Sequence, residues 1–255
     1  MESMIERERR DGILILRLAH GKASALDIEL LGAMVEAARE GGRDDSRAIV
    51  ITGTGTIFSA GVDLKRLLAG GPSYVEEFLP ALSLAVLELY RLEKPVIAAI
   101  NGHAIAGGCV IAAACDYRVM ARGGGRIGLP ELQVGVVFPP AIMEIVRSAI
   151  PRSSQAAAIL LGESFTAEQA LARGIVDELA DEEGALERAV EVARRLAAFP
   201  SETVALTKRQ MRRPVLAAIA EARREHESEV AAIWKSEAAL SRIGAYVERT
   251  LAKPR

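Results

Sequence analysis

Apolar residues along this chain switch between a spacing of two and a spacing of three to four, and the switches mark out its elements. Residues 13–18 form a short β-rich run behind the turn at Asp11-Gly12, and residues 5–9 can pair with it as a hairpin. Residues 27–39 carry Ile28, Leu31, Val35 and Ala38 at helical spacing, with Asp27 placed to cap the first turn. A buried strand is predicted over 47–52 and a short helix over 62–68. Gly70-Gly71-Pro72 breaks that helix, and a longer one follows over 74–92. The pattern then gives a strand over 96–100, a helix over 107–114 and a strand over 117–121. Helices follow near 140–149 and 154–161, and Thr166 with Gln169 has the spacing of a capping box for a helix ending before Gly174.

From Gly184 onward the pattern is almost wholly helical. It carries apolar stripes at Val230, Ile233 and Trp234, then Leu240, Ile243 and Val247. Strands alternating with helices predict an α/β core, with the tail as a helical appendage. The stripes need a partner surface: either a second copy of the chain or the core of the same subunit.

Composition narrows the function classes. The chain has 255 residues, half of them apolar and 4% aromatic, enough for a sizeable core. With 32 basic and 34 acidic residues intermixed, its net charge of −2 argues against a general nucleic-acid binder. Residues 27–45 are net acidic. Cys109 and Cys115 have no His or acid at metal-ligand spacing and read as buried, reduced thiols of a cytoplasmic protein. The charged residues 1–11 show no secretory signal. Residues 95–115 contain no Lys, Arg, Asp or Glu, yet Pro95, Asn101-Gly102-His103 and Gly107-Gly108 punctuate them. They read as strand, turn and helix, so no membrane span is expected.

Two glycine-bearing segments, Ser59-Ala60-Gly61-Val62-Asp63 and Asn101-Gly102-His103-Ala104-Ile105-Ala106-Gly107-Gly108, each sit where a strand-like run gives way to a helix-like one. The first N–H groups of a helix have no intrahelical partner, and two of them converging on one point would form an oxyanion hole. Either segment alone is more ordinarily a turn. Gly53-Thr54-Gly55 lacks the third glycine of a dinucleotide fingerprint, and neither a phosphate-loop lysine nor a nucleophilic-serine elbow is present.

The two segments together, followed by Ile127-Gly128-Leu129-Pro130-Glu131, resemble the crotonase, or enoyl-CoA hydratase/isomerase, superfamily. The match also runs through His20 to Leu26, Phe58 to Lys65, Lys94-Pro95-Val96 and Cys115-Asp116-Tyr117-Arg118. The resemblance implies a ββα spiral core over 1–195, a C-terminal helical oligomerisation region over 196–255, and a homotrimer or dimer of trimers. It further implies an acyl-CoA thioester as substrate, with coenzyme A entering as part of that substrate and no separate cofactor or metal. The catalytic positions are then Glu131 and the backbone N–H groups of Val62 and Gly107. The CoA contacts fall on Lys22, Ala23, Ala25, Ala60, Asp63 and Leu64, with Lys65 as a further phosphate candidate and Lys208 in a C-terminal segment that reaches a neighbouring subunit's CoA.

Hydratases of the superfamily use two glutamates. Here the second position is Glu131, while the first is Val110, which can neither hold nor protonate water. One carboxylate suffices for a 1,3-proton shift, and in this the sequence is similar to the mitochondrial-type Δ3,Δ2-enoyl-CoA isomerases. Phe138-Pro139-Pro140-Ala141-Ile142 also replaces the glycine-rich loop usual in hydratases. Hydration, another crotonase reaction such as thioester hydrolysis, and acyl-CoA binding without catalysis stay open as alternatives. Glu144 and His103 are the nearest spare titratable groups.

Overall fold

The computed structural model describes residues 3–251. Its core is built by repetition of one unit: a strand for a large sheet, a strand for a small sheet, then a helix. The large sheet has the order β1 (Ile5–Arg10), β2 (Ile13–Leu18), β3 (Ala48–Thr52), β5 (Val96–Ile100), β7 (Tyr117–Ala121), β10 (Glu178–Ala180). The small sheet has the order β4 (Ile57–Ser59), β6 (His103–Ile105), β8 (Arg126–Gly128), β9 (Ser164–Thr166). Only the β1–β2 and β8–β9 pairs are antiparallel. β3, β5 and β7 are buried over most or all of their length, as strands of a parallel sheet covered on both faces should be.

The successive turns of this spiral end in α2 (Leu64–Tyr90), α3 (Gly107–Ala114) and the single turn α4 (Glu131–Val134). α1 (Ile28–Arg43) precedes them, and α5 (Pro140–Ala149), α6 (Arg152–Gln155), α7 (Ala167–Ala172) and α8 (Ala185–Ala197) follow. α/β class, hairpin and alternation match the pattern read from the chain. Asp27 caps α1, accepting from the Leu30 N–H at 2.8 Å, and Thr166 and Gln169 close their capping box. The break at Gly70-Gly71-Pro72 is a kink inside α2, where Gly71 sits at φ 60°, ψ −153°. The helix begins at Leu64 rather than 62, because Asp63 is its cap and accepts from the Arg66 N–H.

The tail forms α9 (Ser201–Lys235) and α10 (Glu237–Leu251). Its stripes fold back on the same chain. Val230, Trp234 and Ile243 are buried in the main core, and the Trp234 indole N–H donates to the Val137 carbonyl at 2.8 Å. A second anchor is polar. Asp116, at the end of β5's neighbour strand β7, accepts from the Val96 N–H, from Lys208 and from Arg212. The Arg212 guanidinium also lies 4.3 Å above the Tyr90 ring. No helix among the described residues is long and apolar enough to cross a membrane.

Candidate active site

The two glycine segments meet. Gly61 has φ +83°, and a Cβ there would lie 2.6 Å from the Ile105 carbonyl, 2.7 Å from Ala106 Cβ and 3.0 Å from the Gly107 nitrogen. Only glycine allows the segment after β4 to lie flat against the start of α3. A Cβ at Gly107 would lie 2.5 Å from Leu26 Cδ1, the end of a side chain that would have to shift.

Leu26 decides where the Val62 amide points. The Leu26 N–H donates to the Gly61 carbonyl at 2.7 Å, and the Asp63 N–H donates to the Leu26 carbonyl at 3.0 Å. In an extended segment, groups alternate in direction, so the Val62 N–H must face the opposite way. Gly107 opens α3, where no preceding turn supplies an acceptor. Neither N–H has a hydrogen-bond partner among the described residues. Both belong to residues that line one cavity. Ala106, just before α3, is held at φ 51°, ψ −120°, a backbone conformation that costs a non-glycine residue about 1–3 kcal/mol. Its N–H bond to the Gly128 carbonyl helps hold it there.

Glu131 opens α4 and lines the same cavity. Val110, Leu82, Val134, Phe138 and Ile142 surround it, and no other carboxylate lines this space. Its Oε2 is buried and has no hydrogen-bond partner among the described residues. Burial away from any compensating charge pushes the Glu131 carboxyl from its ordinary 4.5 up to about 8. The result is an apolar cavity with one titratable acid near neutrality and two free amide donors, a combination suited to moving protons next to a polarised carbonyl. Among the described residues, no group of three or more His, Cys, Asp or Glu is placed to hold a metal ion.

The residues singled out from the sequence divide by position. Ala60, Val62, Leu64, Gly107, Val110 and Glu131 line the cavity. Lys22, Ala23, Ala25 and Asp63 do not line it, although the Ala23 carbonyl accepts from the Ala60 N–H at 3.0 Å. Lys22 and Lys65 are exposed. Lys208 does not reach outward as a phosphate ligand: it is buried, bonded to Asp116 and the Lys94 carbonyl, and lowered by desolvation to about 8. Glu144 lies off the cavity and pairs with Arg147 at 3.2 Å, and His103 lies off it in β6.

Sequence reasoning did not assign Trp234 and Tyr246 to the site, yet both line the cavity. Apolar stripes carry no motif, and the only available signal was that Trp234 is the sole tryptophan.

The geometry agrees with comparisons to known proteins. A family model described as enoyl-CoA hydratase/isomerase matches residues 8–253. The chain is 32% identical over 213 residues to enoyl-CoA delta isomerase 1, mitochondrial, of Rattus norvegicus, covering 82% of this chain and 74% of the relative. It is 35% identical over 199 residues to the carnitinyl-CoA dehydratase of Salmonella typhi, covering 77% and 75%. The crystal structure of human mitochondrial delta3-delta2-enoyl-CoA isomerase superposes with a TM-score of 0.91 at 27% identity, covering 97% of this chain and 98% of that one.

Proposed function

Because the chain belongs to the enoyl-CoA hydratase/isomerase family, and so is an enzyme acting on acyl-CoA thioesters, we propose that its reaction is the shift of a Δ3 double bond to Δ2. The observation that carries this reading is the single carboxylate, Glu131, lining a cavity whose other acid position is Val110. The thioester oxygen accepts from the Val62 and Gly107 N–H groups. The Glu131 carboxylate takes a proton from Cα, and negative charge spreads over the dienolate onto that oxygen. The same group, now protonated, returns the proton at Cγ. No water enters the balance, so a second acid to hold one is not required. The partial positive charge at the start of α3 favours the enolate oxygen, and each N–H donor is worth about 2.7–4 kcal/mol in the transition state.

Hydration needs a water held and deprotonated as it attacks Cβ, and Val110 can do neither. CoA is assigned to the loop 22–25 and to residues 60–64. The close fit of that loop to the Val62 segment supports the assignment. A homotrimer or dimer of trimers is the assembly proposed, supported by the exposed side chains of Leu132, Leu160 and Leu161; light scattering on the purified protein reads it directly.

The test is turnover. The purified protein should convert a 3-enoyl-CoA to its 2-enoyl isomer, and Glu131→Gln should abolish this while preserving the fold. Efficient hydration of 2-enoyl-CoA with little isomerisation would refute the proposal.

A further inference from the structure

The tail supplies one wall of the cavity, and that wall is bulky and pinned. Trp234, near the end of α9, is 2% exposed. Its indole N–H is held by the Val137 carbonyl, in the loop that also lines the cavity, and Phe78 of α2 packs beside it with ring centroids 6.4 Å apart. That bond and the ring beside it hold the indole in place against the cavity. Tyr246 of α10 completes this side. Apart from the Glu131 carboxyl and the Tyr246 hydroxyl, no polar side chain lines the cavity. Its volume is small, about 70 Å³.

We infer that Trp234, with Tyr246, is the chain-length stop of this enzyme, and that the acyl group it takes is a short, unsubstituted hydrocarbon. The inference rests on the acyl-CoA reading of the cavity. An apolar wall adds affinity for each methylene that it covers and none for methylenes that cannot enter. Acyl groups bearing a charge beyond Cβ would be desolvated with no counter-charge and rejected.

Because Trp234 is the only tryptophan, its fluorescence reports occupancy without any chemistry. Titration with butanoyl-, hexanoyl-, octanoyl- and dodecanoyl-CoA should show affinity rising about fourfold per methylene, then breaking before dodecanoyl-CoA. Trp234→Leu and Tyr246→Ala, followed by calorimetry, should move the break outward: dodecanoyl-CoA gains at least tenfold over wild type while butanoyl-CoA changes less than threefold. The wild-type break stands as a result even if one variant fails to fold. An unbroken rise through dodecanoyl-CoA would overturn the inference, as would a break that neither folded variant moves. A break without isomerase turnover would leave the length stop in place and remove only the assigned reaction. If no acyl-CoA bound at all, the acyl-CoA reading and this inference would fall together.

Discussion

The proposed base should destabilise the protein that carries it, in a way that depends on pH. In the unfolded chain Glu131 ionises at its ordinary 4.5; in the folded protein, burial holds the proton until about 8. Between these values the unfolded state binds fewer protons, so folding stability falls as pH rises. At 1.36 kcal/mol per pH unit, the penalty is about 1 kcal/mol at pH 5, about 3 at pH 7 and about 5 at pH 9, where it levels off. Glu131→Gln removes the titration. Its stability relative to wild type should therefore improve by about 4 kcal/mol between pH 5 and pH 9. The comparison across pH cancels the constant cost of burying an amide in place of the acid. Urea unfolding at a fixed protein concentration, followed by Trp234 emission, measures both proteins at each pH. A difference that stays flat across this range would show that the carboxyl ionises normally, and the argument for a base poised by desolvation would fail. The same titration predicts that kcat/KM rises with pH to a plateau with an apparent midpoint near 8, because only about one site in eleven is ionised at pH 7.

Three further substitutions separate the donors from the scaffold. Gly61→Ala drives a methyl into the Ile105 carbonyl and the start of α3, so kcat should fall about 10²–10³-fold with an unchanged circular-dichroism spectrum; near-normal turnover would place the oxyanion elsewhere. Asp116→Ala leaves the Lys208 and Arg212 cations buried without their carboxylate, which should cost about 3–5 kcal/mol of stability. Lys208→Met, by contrast, should leave KM for an acyl-CoA within about twofold of wild type if Lys208 serves the scaffold alone; a tenfold rise in KM would restore its role at the CoA.

Much of the core was legible because its signals are local. The caps at Asp27 and Thr166 need one side chain and one nearby N–H, and the central strands β3 and β5 of the large sheet are near-continuous apolar runs. The small sheet was not read as such: β4, β6 and β8 have three residues each, too short to display a period, and their pairing is set by the spiral that brings them together. Glu131, Val62 and Gly107 could be singled out because backbone donors and a catalytic acid leave motifs behind. The apolar half of the cavity leaves none. Trp234 lies about a hundred residues after Glu131, and the stripe containing it fits a core, a neighbour or a substrate equally well. Lys208 was placed at the CoA on the resemblance alone, and its bond to Asp116, just before β7, could not be read from the sequence because the two lie far apart along the chain.

The bond pair that Leu26 makes with Gly61 and Asp63 also ties two distant pieces of chain into one mechanical part. The loop 20–26 is further fastened by Asp27, whose carboxylate lies 2.7 Å from the His20 ring nitrogen and 3.0 Å from Arg66 at the start of α2. The loop therefore cannot shift without carrying the Val62 amide along. Whatever grips it from outside adjusts the aim of a donor inside the cavity, so the handle of a ligand and the reacting end of that ligand are registered against the same rigid ledge.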